Sequence, residues 1–426
     1  MWAKIAVRTE NGKRQSPYPL RSSFHQPVNF ATPEYNVLYT EAMKEIYLDH
    51  ASTTYTDHQV LEAMMPYFSE KYGNPESLHS KGKEALIATD NARETVAKIL
   101  NCRPSEIIFT GSCTEANNLA IFGIARASKE KGKHLITSAI EHSSVRMPFQ
   151  KLEQEGYAVT YIQANNEGFI NPQDIEVAIN PKTALVSIMH ANNEIGTIQQ
   201  IKEIGEICKK HNIPFHTDAA QTASSLSLDT QALNVDSLSL NASKIYGPKG
   251  VGALYIKKGT PIEAIIYGGT HEFNLRAGTH NTAGIIGLAK ALELAQAHKE
   301  EENKRLNTLQ DLLITGILNN IPNSTLNGPR ENRLPNNISI TIPNINSQEL
   351  MLHLDEAGIC ISSGAACNIG TAKPSPTLIA IGLSKDELHS SIRLSLGKIN
   401  TEEDINYTIE KLTTICHHLR PQNRRH

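Results

Sequence analysis

Between about residue 100 and residue 260, short apolar runs alternate with stretches whose apolar positions recur every three or four residues. Residues 107–110 (IIFT), 134–139 (HLITSA), 158–162 (AVTYI), 184–189 (ALVSIM), 213–218 (IPFHTD) and 251–256 (VGALYI) have the length and β-branched content of buried strands. Residues 114–130 and 201–211 between them carry the spacing of amphipathic helices. This βα alternation predicts an α/β fold with a mostly parallel sheet flanked by helices on both faces. In such sheets ligands lie beyond the carboxyl ends of the strands. Thr114, His142, Asn193 and Asp218 each follow or end a strand and are therefore candidates for chemistry.

Further along, residues 297–318 read as a long, charged amphipathic helix leading into a smaller α+β domain. That domain would contain strands near 336–342 and 390–396 and a helix near 347–358. The expected division is a large domain at 54–300 and a small one made of 43–53 with 301–426. Residues 1–42 are polar, contain Pro17, Pro19, Pro27 and Pro33, and lack periodicity, which predicts a poorly ordered extension. Met43 opens a stretch that reads like a natural protein start.

Composition narrows the class. A chain of 426 residues with 39% hydrophobic and 20% charged positions can bury two sizeable cores. A net charge of −3 gives no reason to expect a nucleic-acid partner. The apolar runs are too short to suggest a membrane span. The six cysteines form no C-x-x-C pair, which favours a reducing, cytoplasmic setting over a disulfide framework. No metal site is expected, since Cys416, His417 and His418 are consecutive rather than at ligand spacing.

The strongest chemical signal is a pair. Asp218 ends an apolar run in PFHTDAAQ, and Lys244 lies in the small-residue turn NASKIYGPKG. A pyridoxal phosphate (PLP) enzyme needs a lysine amine for the Schiff base and a carboxylate facing the pyridine nitrogen. In FTGSCTEANN a strand, a turn of small residues and a helix start could cradle a phosphate, with Thr114 adding a hydroxyl. The ordinary alternative is a helix cap at Thr114. His142 could stack on a cofactor ring, and Asn193 and Gln221 could bond its phenolic oxygen; each could equally be a loop residue. Cys367 sits in ISSGAACNIGTAKPSP, a loop suited to presenting a thiol, although a lone cysteine is usually a buried hydrophobe. Arg393 interrupts an apolar run and must be paired, by a substrate carboxylate or by an internal salt bridge.

The segments YLDHASTT, YGNPESLH, FTGSCTEANNLAI, EHSSV, SIMHANNEIG, HTDAAQ, SKIYGPKGVGALYI, RAGTHN, SSGAAC and SSIRLSLG occur in this order. Together they resemble the cysteine desulfurases, PLP enzymes of fold type I in aminotransferase class V, from about residue 43 to 415. The loop after Cys367 is similar to that of the subgroup serving iron–sulfur cluster assembly. The resemblance implies that Lys244 carries the cofactor and moves protons, that Asp218 holds the pyridinium and that His142 stacks on the ring. It implies that Asn193 and Gln221 bond the phenolic oxygen, and that Cys113, Thr114, Asn241 and Ser243 border the cofactor. It further implies that Arg393 and Asn193 grip the carboxylate of L-cysteine, and that Cys367 takes the sulfur as a persulfide, leaving alanine. Thr279 would reach the phosphate of the partner subunit in a homodimer.

The chain departs from the family pattern at Asn241-Ala242-Ser243, where a Ser-Gly-His or Ser-Ala-His run is usual, and at Phe273, where arginine is usual. It also lacks the longer tail that related enzymes use to dock an iron–sulfur scaffold, which leaves the sulfur acceptor open. The alternatives to a desulfurase are a selenocysteine lyase, another class-V PLP enzyme, or a weakly active PLP-binding assembly factor.

Overall fold

A seven-stranded sheet organises the chain, in a computed structural model that describes residues 45–363 and 374–420. The strands in chain order are β1 (Ile46–Tyr47), β2 (Ile107–Thr110), β3 (His134–Ser138), β4 (Ala158–Ile162), β5 (Thr183–Ser187), β6 (Phe215–Asp218), β7 (Ser237–Asn241), β8 (Gly252–Ile256), β9 (Thr325–Leu326), β10 (Asn337–Thr341), β11 (Ile359–Cys360), β12 (Ser362–Ser363) and β13 (Ser391–Ser395). The large sheet has the order β2-β8-β7-β6-β5-β3-β4. All neighbours are parallel except those of β8, which runs antiparallel to β2 and β7. The carboxyl ends of β2, β3, β5, β6 and β7 therefore open on the same edge.

Alternation along each strand divides the interior. Ile107, Phe109, Ile136, Val186 and Tyr255 pack on one side, with the helices Ser80–Ile99, Ile201–Lys210 and Thr282–Ala297. Ile108, Leu135, Leu185 and Leu254 pack on the other, with the helices Cys113–Ala127 and Ser143–Gln154. Because both faces are covered, the strands need no polar face, which is why β2, β5 and β8 are buried throughout. A separate buried set joins β10 and β13 to the helices Lys299–Asn320, Ser347–Glu356 and Glu402–Leu419, and includes Ile46 and Leu48. Here β12, β13, β10 and β9 form a four-stranded antiparallel sheet, while β1 pairs parallel with β11.

The six strands expected between residues 107 and 256 are present, within two residues at each end. β7 was not expected. Its Ser-Leu-Ser-Leu alternation imitates a half-exposed strand, yet Ser237 and Ser239 are as buried as Leu238 and Leu240. The long helix expected at 297–318 runs Lys299–Asn320, and the helix Thr282–Ala297 before it carries too many small apolar residues to show a polar stripe. No helix among the described residues is long and apolar enough to cross a membrane.

Candidate active site

Asp218 is the last residue of β6, only 6% exposed, and both of its oxygens are occupied. Oδ1 accepts from the Ala220 amide at 2.9 Å and from the Cys113 thiol at 3.5 Å; Oδ2 accepts from Asn117 Nδ2 at 2.7 Å. Asn117 lies on the buried face of the helix Cys113–Ala127 and also donates to Ser144 Oγ at 2.8 Å. Ser144 Oγ is 2.7 Å from His142 Nδ1. A continuous polar chain thus runs from Asp218 through Asn117 and Ser144 to the imidazole.

His142 caps the helix Ser143–Gln154, its Nδ1 accepting from the Ser144 amide at 3.2 Å. Burial lowers its basicity, partly countered by Asp218, while Lys244, Arg146 and Arg393 lower it further. The neutral ring is therefore favoured near pH 7. Burial, and then Asp218, push the Cys113 thiol far above its ordinary range, with Lys244 pulling the other way. Cys113 is thus a buried donor to Asp218 rather than a nucleophile.

Thr114 is exposed one residue further on, and its carbonyl accepts from Asn118. The helix cap is Ser112, whose hydroxyl accepts from the Glu115 amide at 3.2 Å, so the ordinary reading of Thr114 as the cap is corrected. The close approach of β8 to this turn requires a glycine. A Cβ on Gly252 would lie 2.6 Å from the Ser112 carbonyl carbon and 2.9 Å from the Cys113 amide nitrogen.

β7 delivers Asn241 to the edge and continues into the 3-10 turn Ala242–Lys244, capped by Asn241 Oδ1 accepting from the Ser243 amide at 3.3 Å. The carbonyl of Ser243 accepts from the amide and hydroxyl of Thr54. Lys244 Nζ donates to the carbonyls of Ala51, at 2.9 Å, and Ser52. Gln221 donates to the same Ala51 carbonyl at 3.0 Å, so one short turn gathers both residues.

That turn also receives Arg393 from β13. The guanidinium is 3% exposed and donates to Asp49 Oδ1 at 2.8 Å, to Ser52 Oγ at 2.7 Å and to the Asn193 carbonyl at 3.3 Å. The internal ion pair considered for Arg393 therefore exists, and its Nε has no partner although buried. Asn193 meets Arg393 through its backbone. Thr279 is exposed on the loop containing Arg276, and Arg276 donates to Glu115 at 2.8 Å, tying that loop to the helix start at Ser112. Cys367 lies outside the described residues.

Sequence reading passed over Asn117, Ser144, Asp49 and the 51–52 carbonyls. Asn117 carried a usable signal, a polar residue in register with Cys113, Ala120 and Ile124 on an otherwise apolar helix face. The others depend on contacts between distant segments. The donor set suits PLP: a buried carboxylate at a strand end, an amine on the next strand's turn, a neutral imidazole, a helix start in a turn of small residues, and an orphaned guanidinium nitrogen.

The aminotransferase class-V family matches residues 46–408, and the chain belongs to that family. Cysteine desulfurase IscS of Clostridium botulinum is 50% identical over 374 residues, covering 87% of this chain and 94% of that relative. Cysteine desulfurase IscS of Methanosarcina thermophila is 46% identical over 377 residues, 88% of this chain and 93% of that one. Among solved structures, a NifS-like protein superposes with a TM-score of 0.83 at 37% identity, covering 88% of this chain and 100% of that chain. SspA in complex with cysteine gives 0.73 at 39% identity, covering 83% and 99%. Within class V the chain is a cysteine desulfurase, a group of PLP-dependent enzymes.

Proposed function

We propose that this chain removes sulfur from L-cysteine to give L-alanine, holding PLP between Asp218 and Lys244 and receiving the sulfur on Cys367. The observation that carries the reading is the polar chain Asp218–Asn117–Ser144–His142 with the Lys244 turn on the adjoining strand. When bound, PLP supplies an electron-poor ring that can take up the electron pair released from the substrate. Asp218 would face the ring nitrogen, kept in place by Asn117, Cys113 and the Ala220 amide. Neutral His142 would lie on the ring and can accept a proton at the nitrogen not engaged by Ser144. Lys244 would be the covalent anchor and would shuttle a proton at Nζ, giving up the Ala51 and Ser52 carbonyls. Arg393, whose Nε is unpartnered, would grip the substrate carboxylate with Asn193. Cys113, Thr114, Asn241 and Ser243 would border the cofactor.

For the sulfur step, a bond forms between Cys367 Sγ and the substrate sulfur while the substrate C–S bond breaks. The carbon takes a proton and leaves as alanine. We further propose a cytoplasmic homodimer in which Thr279 reaches the partner's cofactor phosphate, with an iron–sulfur scaffold or another protein as the sulfur acceptor. The division at 54–300 against 43–53 with 301–426 fits the buried set that unites Ile46 and Leu48 with the C-terminal helices.

The test is alanine and sulfide production from L-cysteine in the presence of a thiol reductant. Cys367→Ala is expected to keep the visible absorption of the cofactor and to lose sulfide release. Near-wild-type turnover in that variant would sink the persulfide route.

A further inference from the structure

Glu76, His271 and His280 come from segments far apart in the sequence, and none belongs to the network around Asp218. One potential ligand atom from each lies within 4.8 Å of the other two. The His280 side chain is 8% exposed, and its Nε2 is 2.9 Å from Glu272 Oε1. Glu272 is itself fixed, taking two bonds from Arg93 at 2.7 and 2.8 Å and one from the Phe109 amide at 2.8 Å. A carboxylate ringed by donors calls for an N–H from His280 Nε2, which leaves Nδ1 with the lone pair. That Nδ1 is buried and has no hydrogen-bond partner. An imidazole with one nitrogen bound to a carboxylate and the other bare is how proteins orient a metal-ligating histidine.

The second imidazole is similarly prepared. His271 Nδ1 accepts a long 3.4 Å bond from the Gly278 amide, which marks it as a lone-pair nitrogen and is loose enough to yield. The two rings are 5.4 Å apart. Between them Glu272, Phe273 and Asn274 all have left-handed backbone, with φ of 47°, 58° and 67°.

We propose that Glu76, His271 and His280 form a binding site for a divalent transition-metal ion of the zinc type, with a fourth position left to water. Two imidazoles and one carboxylate suit zinc and disfavour magnesium or calcium, which prefer all-oxygen sites. The ion would staple the 271–280 segment to the turn preceding the helix Ser80–Ile99. Thr279 adjoins His280 and Arg276 holds Glu115, so occupancy would fix the loop bordering the helix start at Ser112.

The experiment is a zinc titration of chelator-treated holoenzyme against a chromophoric competitor, with metal content measured after gel filtration. It is done in the Cys367→Ala background with His417→Ala and His418→Ala, so that neither the thiol nor the tail contributes. One tight zinc per chain is expected. His280→Ala should abolish it, and Glu76→Gln, an exposed change that leaves the fold alone, should weaken it at least tenfold. Thermal unfolding without zinc separates loss of a ligand from loss of fold. Absence of tight zinc in the parent, or unchanged affinity in Glu76→Gln and in a folded His280→Ala, would overturn the proposal.

Discussion

Asn117 shows how a residue with no direct chemistry can govern a site. It is fully buried and spends one amide nitrogen on both Asp218 and Ser144. A hydrogen bond to a charged group contributes about 1.5–3 kcal/mol, more than an ordinary neutral one. Asn117→Ala should therefore weaken PLP binding roughly ten- to a hundredfold. It should also shift the pH profile, because His142 loses the Asn117–Ser144 link to Asp218. A PLP titration of the apo-protein checks the first effect and the pH dependence of sulfide release the second. Unchanged cofactor affinity would mean that the Ala220 amide and Cys113 suffice to hold the carboxylate.

Among the elements, the helix Pro376–Ala380 has a particular position, since it begins just after the segment that contains Cys367. Ser375 caps this helix and donates to Glu194, in the turn whose Asn193 carbonyl meets Arg393. Burial pushes the Glu194 carboxyl up to about 7, although Ser375 and Arg393 draw it down. Ser375→Ala is expected to lower kcat several-fold while PLP affinity stays within twofold, because the lost contact ties the helix Pro376–Ala380 to the Glu194 turn and does not touch the groups assigned to the cofactor. Steady-state kinetics beside a PLP titration would separate the two; a loss confined to cofactor binding would contradict this assignment.

The elements also mark where sequence reading stops. The apolar runs at β2, β5 and β8 were legible because burial on both sheet faces leaves continuous hydrophobic stretches. β7 was not, because Ser239 is buried against His216 Nε2 at 3.0 Å, a partner invisible to periodicity. Asp218 and Lys244 were legible from their neighbours and from the resemblance. The Asp49–Thr54 turn was not, since its role rests on carbonyls and on contacts with residues far away in the chain.

For the molecule as a whole, Glu141 links site geometry to stability. It accepts from Ser138 at 2.6 Å and from the Met189 amide at 2.9 Å, while its second oxygen is buried without a partner. Burial raises its carboxyl to about 8, against an ordinary value of 4.5. A value raised on folding contributes stability that is complete below pH 4.5 and is lost as the pH rises through 8. Glu141→Gln keeps the shape without the ionisation. The variant should gain on the wild type as pH rises from 5.5 to 8.5, by an amount on the order of a few kcal/mol. Denaturant midpoints at the two pH values would check this; a constant difference would show that Glu141 does not titrate in this range.

The ion pair between Asp49 and Arg393 joins residues 344 positions apart, and the same turn supplies the carbonyls that hold Lys244. During synthesis the lysine and the large sheet leave the ribosome well before β13 does. The N-terminal turn must therefore wait for almost the entire chain before its last partner arrives. Cofactor capture then belongs after translation, and a truncated product ending before residue 391 would present a lysine turn without its arginine. Such fragments should fail to mature, so that loading with PLP acts as a check that synthesis has been completed.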